Sequence, residues 1–261
     1  MQLAFVNCFG QVRCFKTENE VEKKELMIKA VFIDIDNTLL DFDAYVRESM
    51  RSGFEQFHLR PYEEWMFPVF MKINNEMWEG IEQGTLTFEK LLQIRWNTVF
   101  DALDIDFDGC RFETYFRESL FDSAIPVKGA KELLDYLKER YVVCAASNGP
   151  YEQQVNRLRL GGMLSDFSHL FISEKAGASK PSREFFDYCL RKLNESSCQK
   201  NEHAILPEEI MMIGDSLTSD MAGGRNNGLK TCFFDRKNTG IPQELGVDHI
   251  VKNLEEIRGF L

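Results

Sequence analysis

Lys29-Ala30-Val31-Phe32-Ile33-Asp34-Ile35-Asp36-Asn37-Thr38-Leu39 decides the reading of this chain. The short run at 29–33, apolar enough to be buried on both faces, leads straight into two carboxylates spaced two apart. In a strand that spacing puts both acids on one side, at the strand's carboxyl end. Two close anions repel, so the pair must bind a cation, share a proton, or both, unless water surrounds it completely. As a bare pattern Asp-x-Asp-x-Thr also describes an acidic solvated loop, and the rest of the chain has to decide between the two.

Outward from this segment, four more short β-rich runs follow, at 141–146, 169–172, 210–213 and 230–234, together with the first at 29–33. Amphipathic stretches of helical length lie at 128–140, 151–161, 181–193 and 217–227. Strands alternating with helices predict parallel βαβ units and a Rossmann-like α/β sandwich. Residues 42–125 break the alternation, with helical patterning near 44–57, 62–79, 87–103 and 111–121. They read as an all-helical insertion over the carboxyl edge of the sheet, where ligands bind in open α/β folds. The core is then 27–41 with 126–261. Residues 1–26, which precede Met27, read as an N-terminal extension, and 193–207 as a long polar connection.

Three further strand ends carry polar groups. Ser147-Asn148-Gly149-Pro150 offers a hydroxyl, an amide and a helix N-terminus, a plausible phosphate cradle. Lys180-Pro181 places a cation before a helix that Pro181 is suited to start. Gly214-Asp215-Ser216-Leu217-Thr218-Ser219-Asp220 supplies a close-approach glycine and two more carboxylates. Asp215 suits a hard cation, while Asp220 suits a metal-bound water or Lys180. Each segment alone has an ordinary explanation as a turn or helix cap; in order, they describe several carboxylates, a hydroxyl and a lysine around a small oxyanion.

These segments resemble the four motifs of the haloacid dehalogenase-like (HAD) hydrolase superfamily, over about 28–261. The helical insertion after Thr38 resembles the C1 cap of its subfamily I. The resemblance implies that Asp34 is the nucleophile and forms an aspartyl-phosphate. Asp36 would be the acid and then the base. Mg²⁺ would sit on the side chains of Asp34 and Asp215 and the carbonyl of Asp36. Ser147, Asn148 and Lys180 would bind the phosphoryl oxygens, with Thr38, Gly214 and Asp220 in support. An acid at Asp36 must be protonated near neutral pH, so its anionic neighbours are expected to raise its pKa.

Within the superfamily, Asp36-Asn37-Thr38-Leu39-Leu40-Asp41-Phe42-Asp43, Met77-Trp78-Glu79 followed by Gly84, and the run 172–181 are similar to pyrimidine 5′-nucleotidases. The expected substrate is thus a small phosphorylated metabolite, a nucleoside monophosphate. Alternatives are a phosphoglycolate or sugar phosphate phosphatase, a phosphosugar mutase, or a metal-free dehalogenase, against which Asp36 counts. Of the aromatics Phe42, Trp65, Phe67, Phe70, Trp78 and Trp96, most are expected to form the insertion's own core. Phe42, adjoining the catalytic loop, is the candidate substrate contact.

Bulk properties narrow the partners. A net charge of −11 opposes a broad phosphate-backbone surface, so nucleic acid polymers are not expected. A metal or a few local cations can still hold a small anion. No apolar run reaches the ~20 residues of a membrane span. The seven scattered cysteines show no zinc-like spacing and fit a reducing cytoplasm.

Overall fold

The computed structural model describes residues 27–200, 203–240 and 246–261; the proposed extension at 1–26 lies outside them. Six strands, β1 (Ala30–Ile33), β2 (Val142–Ser147), β3 (His169–Ile172), β4 (Ile210–Gly214), β5 (Lys230–Phe234) and β6 (His249–Val251), form one sheet in the order β3-β2-β1-β4-β5-β6. Every pairing is parallel. The α/β sandwich expected from the strand–helix alternation is therefore present.

Alternation within β1 builds the core. Val31 and Ile33 face one apolar cluster with Leu133, Leu134 and Leu137 of α5 (Ala130–Lys138) and Leu158 of α6 (Tyr151–Leu160). Ala30 and Phe32 face the other, against Phe185, Phe186 and Cys189 of α8 (Arg183–Lys200). All four β1 residues are fully buried, as a central parallel strand requires. Short α7 (Ser173–Ala176) follows β3, and α9 (Ala222–Asn226) packs beside α8.

Between β1 and α5 stand four helices, α1 (Phe42–Gln56), α2 (Met66–Glu82), α3 (Phe88–Leu103) and α4 (Gly109–Phe121). Asp41, Thr87 and Asp108 cap α1, α3 and α4 through their side chains. Phe54, Phe70, Trp96, Phe100, Phe112 and Phe116 form a separate aromatic core there. The two connecting segments run side by side. Leu40 bridges Pro126, Asp41 N donates to Ile125 O at 2.7 Å, and Val127 N donates to Leu39 O at 2.9 Å. Salt bridges Arg236–Asp41 and Lys237–Asp43, both 2.7 Å, fasten the base of the insertion to the loop after β5.

The structure corrects several boundaries. Strand β6 went unread because three residues, one exposed, carry no periodic signal. Pro181 does not start α8: it follows a cis peptide bond, and Ser182 precedes the helix, accepting from Phe185 N at 3.3 Å. Helix α8 continues to Lys200, so much of the supposed polar connection is helical. The helix read at 217–227 is a π-helical turn, Leu217–Met221, followed by α9. Trp65, expected among the insertion's core aromatics, is 46% exposed.

Candidate active site

Strand register assembles the site. Ile33 lies level with Ala145 of β2 and Ile213 of β4, so Asp34, Ser147 and Gly214 leave the sheet at one edge. Chain order reverses between β1 and β4, the crevice where ligands bind in open parallel sheets. Asp34, Asp36, Ser147, Asn148, Lys180, Asp215 and Asp220 all line one cavity of about 200 Å³, and the insertion adds Phe42, Asn74, Trp78, Glu82, Phe88 and Arg95 to its walls.

Lys180 is its buried hub. The ammonium donates to Asp34 Oδ1 at 2.7 Å, Asp220 Oδ1 at 2.6 Å and Ala146 O at 2.6 Å. An ammonium has three hydrogens, so all are in use. A phosphoryl contact from Lys180 therefore requires exchange of one of these bonds. Burial works against the charged form, but Asp220 and Asp34 outweigh it and hold the Lys180 pKa above its usual value. Asn148 is also committed: its amide donates to Lys180 O at 2.9 Å and accepts from Lys180 N at 2.8 Å. Ser147 differs, for its Oγ accepts from Gln154 Nε2 at 2.9 Å and retains its own hydrogen.

Asp220 Oδ2 accepts from Ser216 N at 3.0 Å, which the wide π-helical turn makes possible. A Cβ on Gly214 would stand 2.2 Å from that oxygen. Replacing Gly214 with Ala should displace Asp220 from Lys180 and cost roughly 1–3 kcal/mol; urea denaturation showing wild-type stability would contradict this. Thr38 is fully buried and its hydroxyl has no protein partner.

One oxygen from each of Asp34, Asp215 and Asp220 can be chosen so that all three lie within 4.8 Å of one another. Burial is the chief cause pushing the Asp34 carboxyl up to about 7, with Lys180 opposing and Asp220 and Asp36 reinforcing. Burial, then Asp34 and Asp220, hold Asp215 well above the ordinary carboxylate range. Negative charge thus exceeds what one lysine can balance, and the donors are hard oxygens, so the residues fit a divalent cation. With Asp220 occupied by Lys180 and Ser216, Asp34 and Asp215 have the freer oxygens.

Several groups at the site escaped the sequence reading. Gln154 and the fully buried Arg157, on the inward face of α6, both bond Asp36, so that carboxylate has a guanidinium beside it and not only the expected anions. The signal was available: two polar residues stand with Leu158 where helical periodicity puts the core. Glu82 ends α2 above the site, hydrogen-bonded by Thr218. Burial, partly opposed by that bond, pushes it up to about 7. Of the aromatics, Phe70 and Trp96 are core, whereas Phe42, Trp78 and Phe88 reach the cavity.

A parallel sheet with acids at its central strand end and a lysine between them fits a hydrolase site. The haloacid dehalogenase-like hydrolase family model matches residues 28–228, and the chain belongs to that family. It is similar to the HAD-hydrolase YfnB of Bacillus subtilis, 28% identical over 89% of this chain and 95% of that protein. The magnesium-bound crystal structure of YfnB superposes with a TM-score of 0.80 at 27% identity, covering 90% and 99% of the two chains. The chain is also similar to pyrimidine 5′-nucleotidase PynA of Streptococcus pneumoniae, 28% identical over 80% of this chain and 85% of that one. A third relative, the glyceraldehyde 3-phosphate phosphatase of Pyrococcus furiosus, is 31% identical over 79% and 80%. No described helix is long and apolar enough to cross a membrane.

Proposed function

We propose that this chain is a Mg²⁺-dependent phosphomonoester hydrolase acting on a pyrimidine nucleoside 5′-monophosphate, with residues 42–125 as its cap. The observation that carries the reading is the shared cavity, in which the Asp34–Lys180–Asp220 triad meets aromatic and amide side chains of the insertion. Trp78, Phe88 and Phe42 offer faces for a flat base, while Asn74 and Arg95 add polar groups. The pyrimidine 5′-nucleotidase among its relatives supports this class of substrate. The scattered cysteines, of which Cys144, Cys189 and Cys232 are buried free thiols, support a reducing cytoplasm as its setting.

In this mechanism an Asp34 oxygen bonds to phosphorus as the ester P–O bond breaks, and Asp36 gives its proton to the departing oxygen. Water then attacks phosphorus, Asp36 takes a proton from it, and the Asp34–phosphate bond breaks to release inorganic phosphate. Asp34 and Asp215 side chains with the Asp36 carbonyl would hold Mg²⁺, which when bound neutralises carboxylate and phosphoryl charge together. Ser147 donates to a phosphoryl oxygen, and the Asn148 clamp keeps Lys180 in place. Phosphoryl transfer depends mainly on such positioning and charge stabilisation.

A phosphate-release screen tests the assignment. With Mg²⁺, pyrimidine nucleoside monophosphates should give higher kcat/KM than triose phosphates, sugar phosphates or phosphoglycolate. Preference for a triose phosphate would favour the reading suggested by the Pyrococcus relative. Phosphate in less than stoichiometric yield would point to a mutase. EDTA should abolish release and Mg²⁺ restore it; activity indifferent to EDTA would remove the cation from the reading.

A further inference from the structure

Asp36 is held from the core side by a network that the proposed mechanism has not used. Arg157 Nη1 donates to Asp36 Oδ1 at 2.6 Å and to Gln154 Oε1 at 2.9 Å. Gln154 Nε2 donates to Asp36 Oδ2 at 2.7 Å and to Ser147 Oγ at 2.9 Å. Arg157 is itself anchored by Nε, which donates to Ser123 O at 3.1 Å, next to the segment where the chain returns from the insertion. Arg157 and Gln154 are each 1% exposed, whereas the Asp36 side chain keeps 31% of its surface open.

Such an arrangement has more consequence than an ordinary ion pair. Each Asp36 oxygen is fixed by one inward donor and keeps further lone-pair capacity on the cavity side. The bond from Arg157 to Gln154 Oε1 sets the amide so that its Nε2 faces both Asp36 and Ser147. Because Ser147 Oγ already accepts from Gln154, its hydroxyl hydrogen is left to point elsewhere, and the cavity is where an acceptor would come. One glutamine thereby sets the directions of two groups that meet the same phosphomonoester. Stereochemical fixing of this kind ahead of the reaction is a large part of what an enzyme contributes.

We propose that Gln154 and Arg157 are positioning residues that aim the Asp36 carboxyl at the ester oxygen and the Ser147 hydroxyl at the phosphoryl group. This rests on the reading of Asp36 as the group that serves the leaving oxygen. Loss of either residue should then slow the hydrolysis of esters whose leaving oxygen needs a proton, and spare esters that leave as stable anions.

Two esters separate the possibilities: a pyrimidine nucleoside 5′-monophosphate, which leaves as an alcohol, and p-nitrophenyl phosphate, which leaves as a stabilised phenolate. The value of kcat/KM reports the steps up to the first bond cleavage, so it isolates the role of Asp36 toward the leaving group. Gln154→Leu and Arg157→Met should lower kcat/KM for the nucleotide by roughly 10²-fold. For p-nitrophenyl phosphate the loss should stay below about 10-fold, and Arg157→Lys should recover part of the nucleotide rate. Gln154→Leu leaves the Arg157–Asp36 pair intact, so it keeps the test usable if Arg157→Met does not fold. Equal losses on the two esters, or no loss on either, would overturn the inference while the phosphatase reading stands. A wild-type protein that hydrolyses neither ester would overturn both.

Discussion

Asp34→Asn is expected to lower phosphate release by at least about 10⁴-fold, since it replaces the carboxylate of the proposed nucleophile with a poorly nucleophilic amide while keeping the side chain's shape. Steady-state assay with any phosphomonoester the wild type accepts would measure it, and retention of substantial turnover would end the nucleophile assignment. The same substitution should stabilise the cation-free fold. Burial first, and the acids Asp220 and Asp36 after it, push the Asp34 carboxyl up to about 7 even against Lys180. An unfolded aspartate titrates near ~3.9. Between those values the folded chain holds the proton more tightly than the unfolded one, so this group's contribution to stability is greatest at low pH. It declines as pH rises through about 7. In EDTA, the Tm of the wild type should fall between about pH 4 and pH 7, and that of Asp34→Asn should fall less, because the titrating group is gone and Asp215 loses the repulsion of Asp34. An inactive variant with unchanged pH dependence would keep Asp34 as nucleophile and deny the stored repulsion. Such a gain would be an instance of the usual conflict between activity and stability.

The fold was legible wherever a buried strand had to announce itself in composition. β1 through β5 are short apolar runs, and four of them end in Asp34, Ser147, Ser173 or Gly214, where the polar character changes abruptly. Strand β6 was not legible, because an edge strand of three residues needs neither apolar faces nor a period. The residue types of the site were legible, but their hydrogen-bond partners were not. Asn148 and Lys180 look like two independent phosphate ligands in sequence, yet they bond each other across 32 positions. Arg157 and Asp36 are 121 apart, and only the packing of α6 against the face of the sheet brings them together. Valence explains the difference: a sequence lists donors and acceptors, whereas which of them are already satisfied depends on long-range contacts. The same limit applied to Glu82, an unremarkable acid at a helix end that the fold sets over Asp220 and Lys180.

Lys180 is where this matters most. Lys180 is 1% exposed and its ammonium bonds two carboxylates and a carbonyl, so its loss should reach the fold as well as catalysis. Lys180→Met keeps most of the volume but strands Asp34 and Asp220 without their cation, and breaking a buried pair by one partner costs about 3–5 kcal/mol. Urea denaturation in EDTA should show that loss. Added Mg²⁺ should recover part of it, since a divalent cation offsets the same excess charge. Turnover should fall by roughly 10³-fold or more even in folded protein with Mg²⁺, because the charge that stabilises the transferring phosphoryl group is gone. The paired variant Lys180→Met with Asp220→Asn separates the two effects. Removing one of the two stranded anions should restore part of the lost stability, while activity stays low. A Lys180→Met protein as stable as the wild type would mean that water or Asp protonation absorbs the charge, and the triad would then serve the reaction alone. A paired variant that regains activity would mean instead that Lys180 acts only as a strut for Asp220.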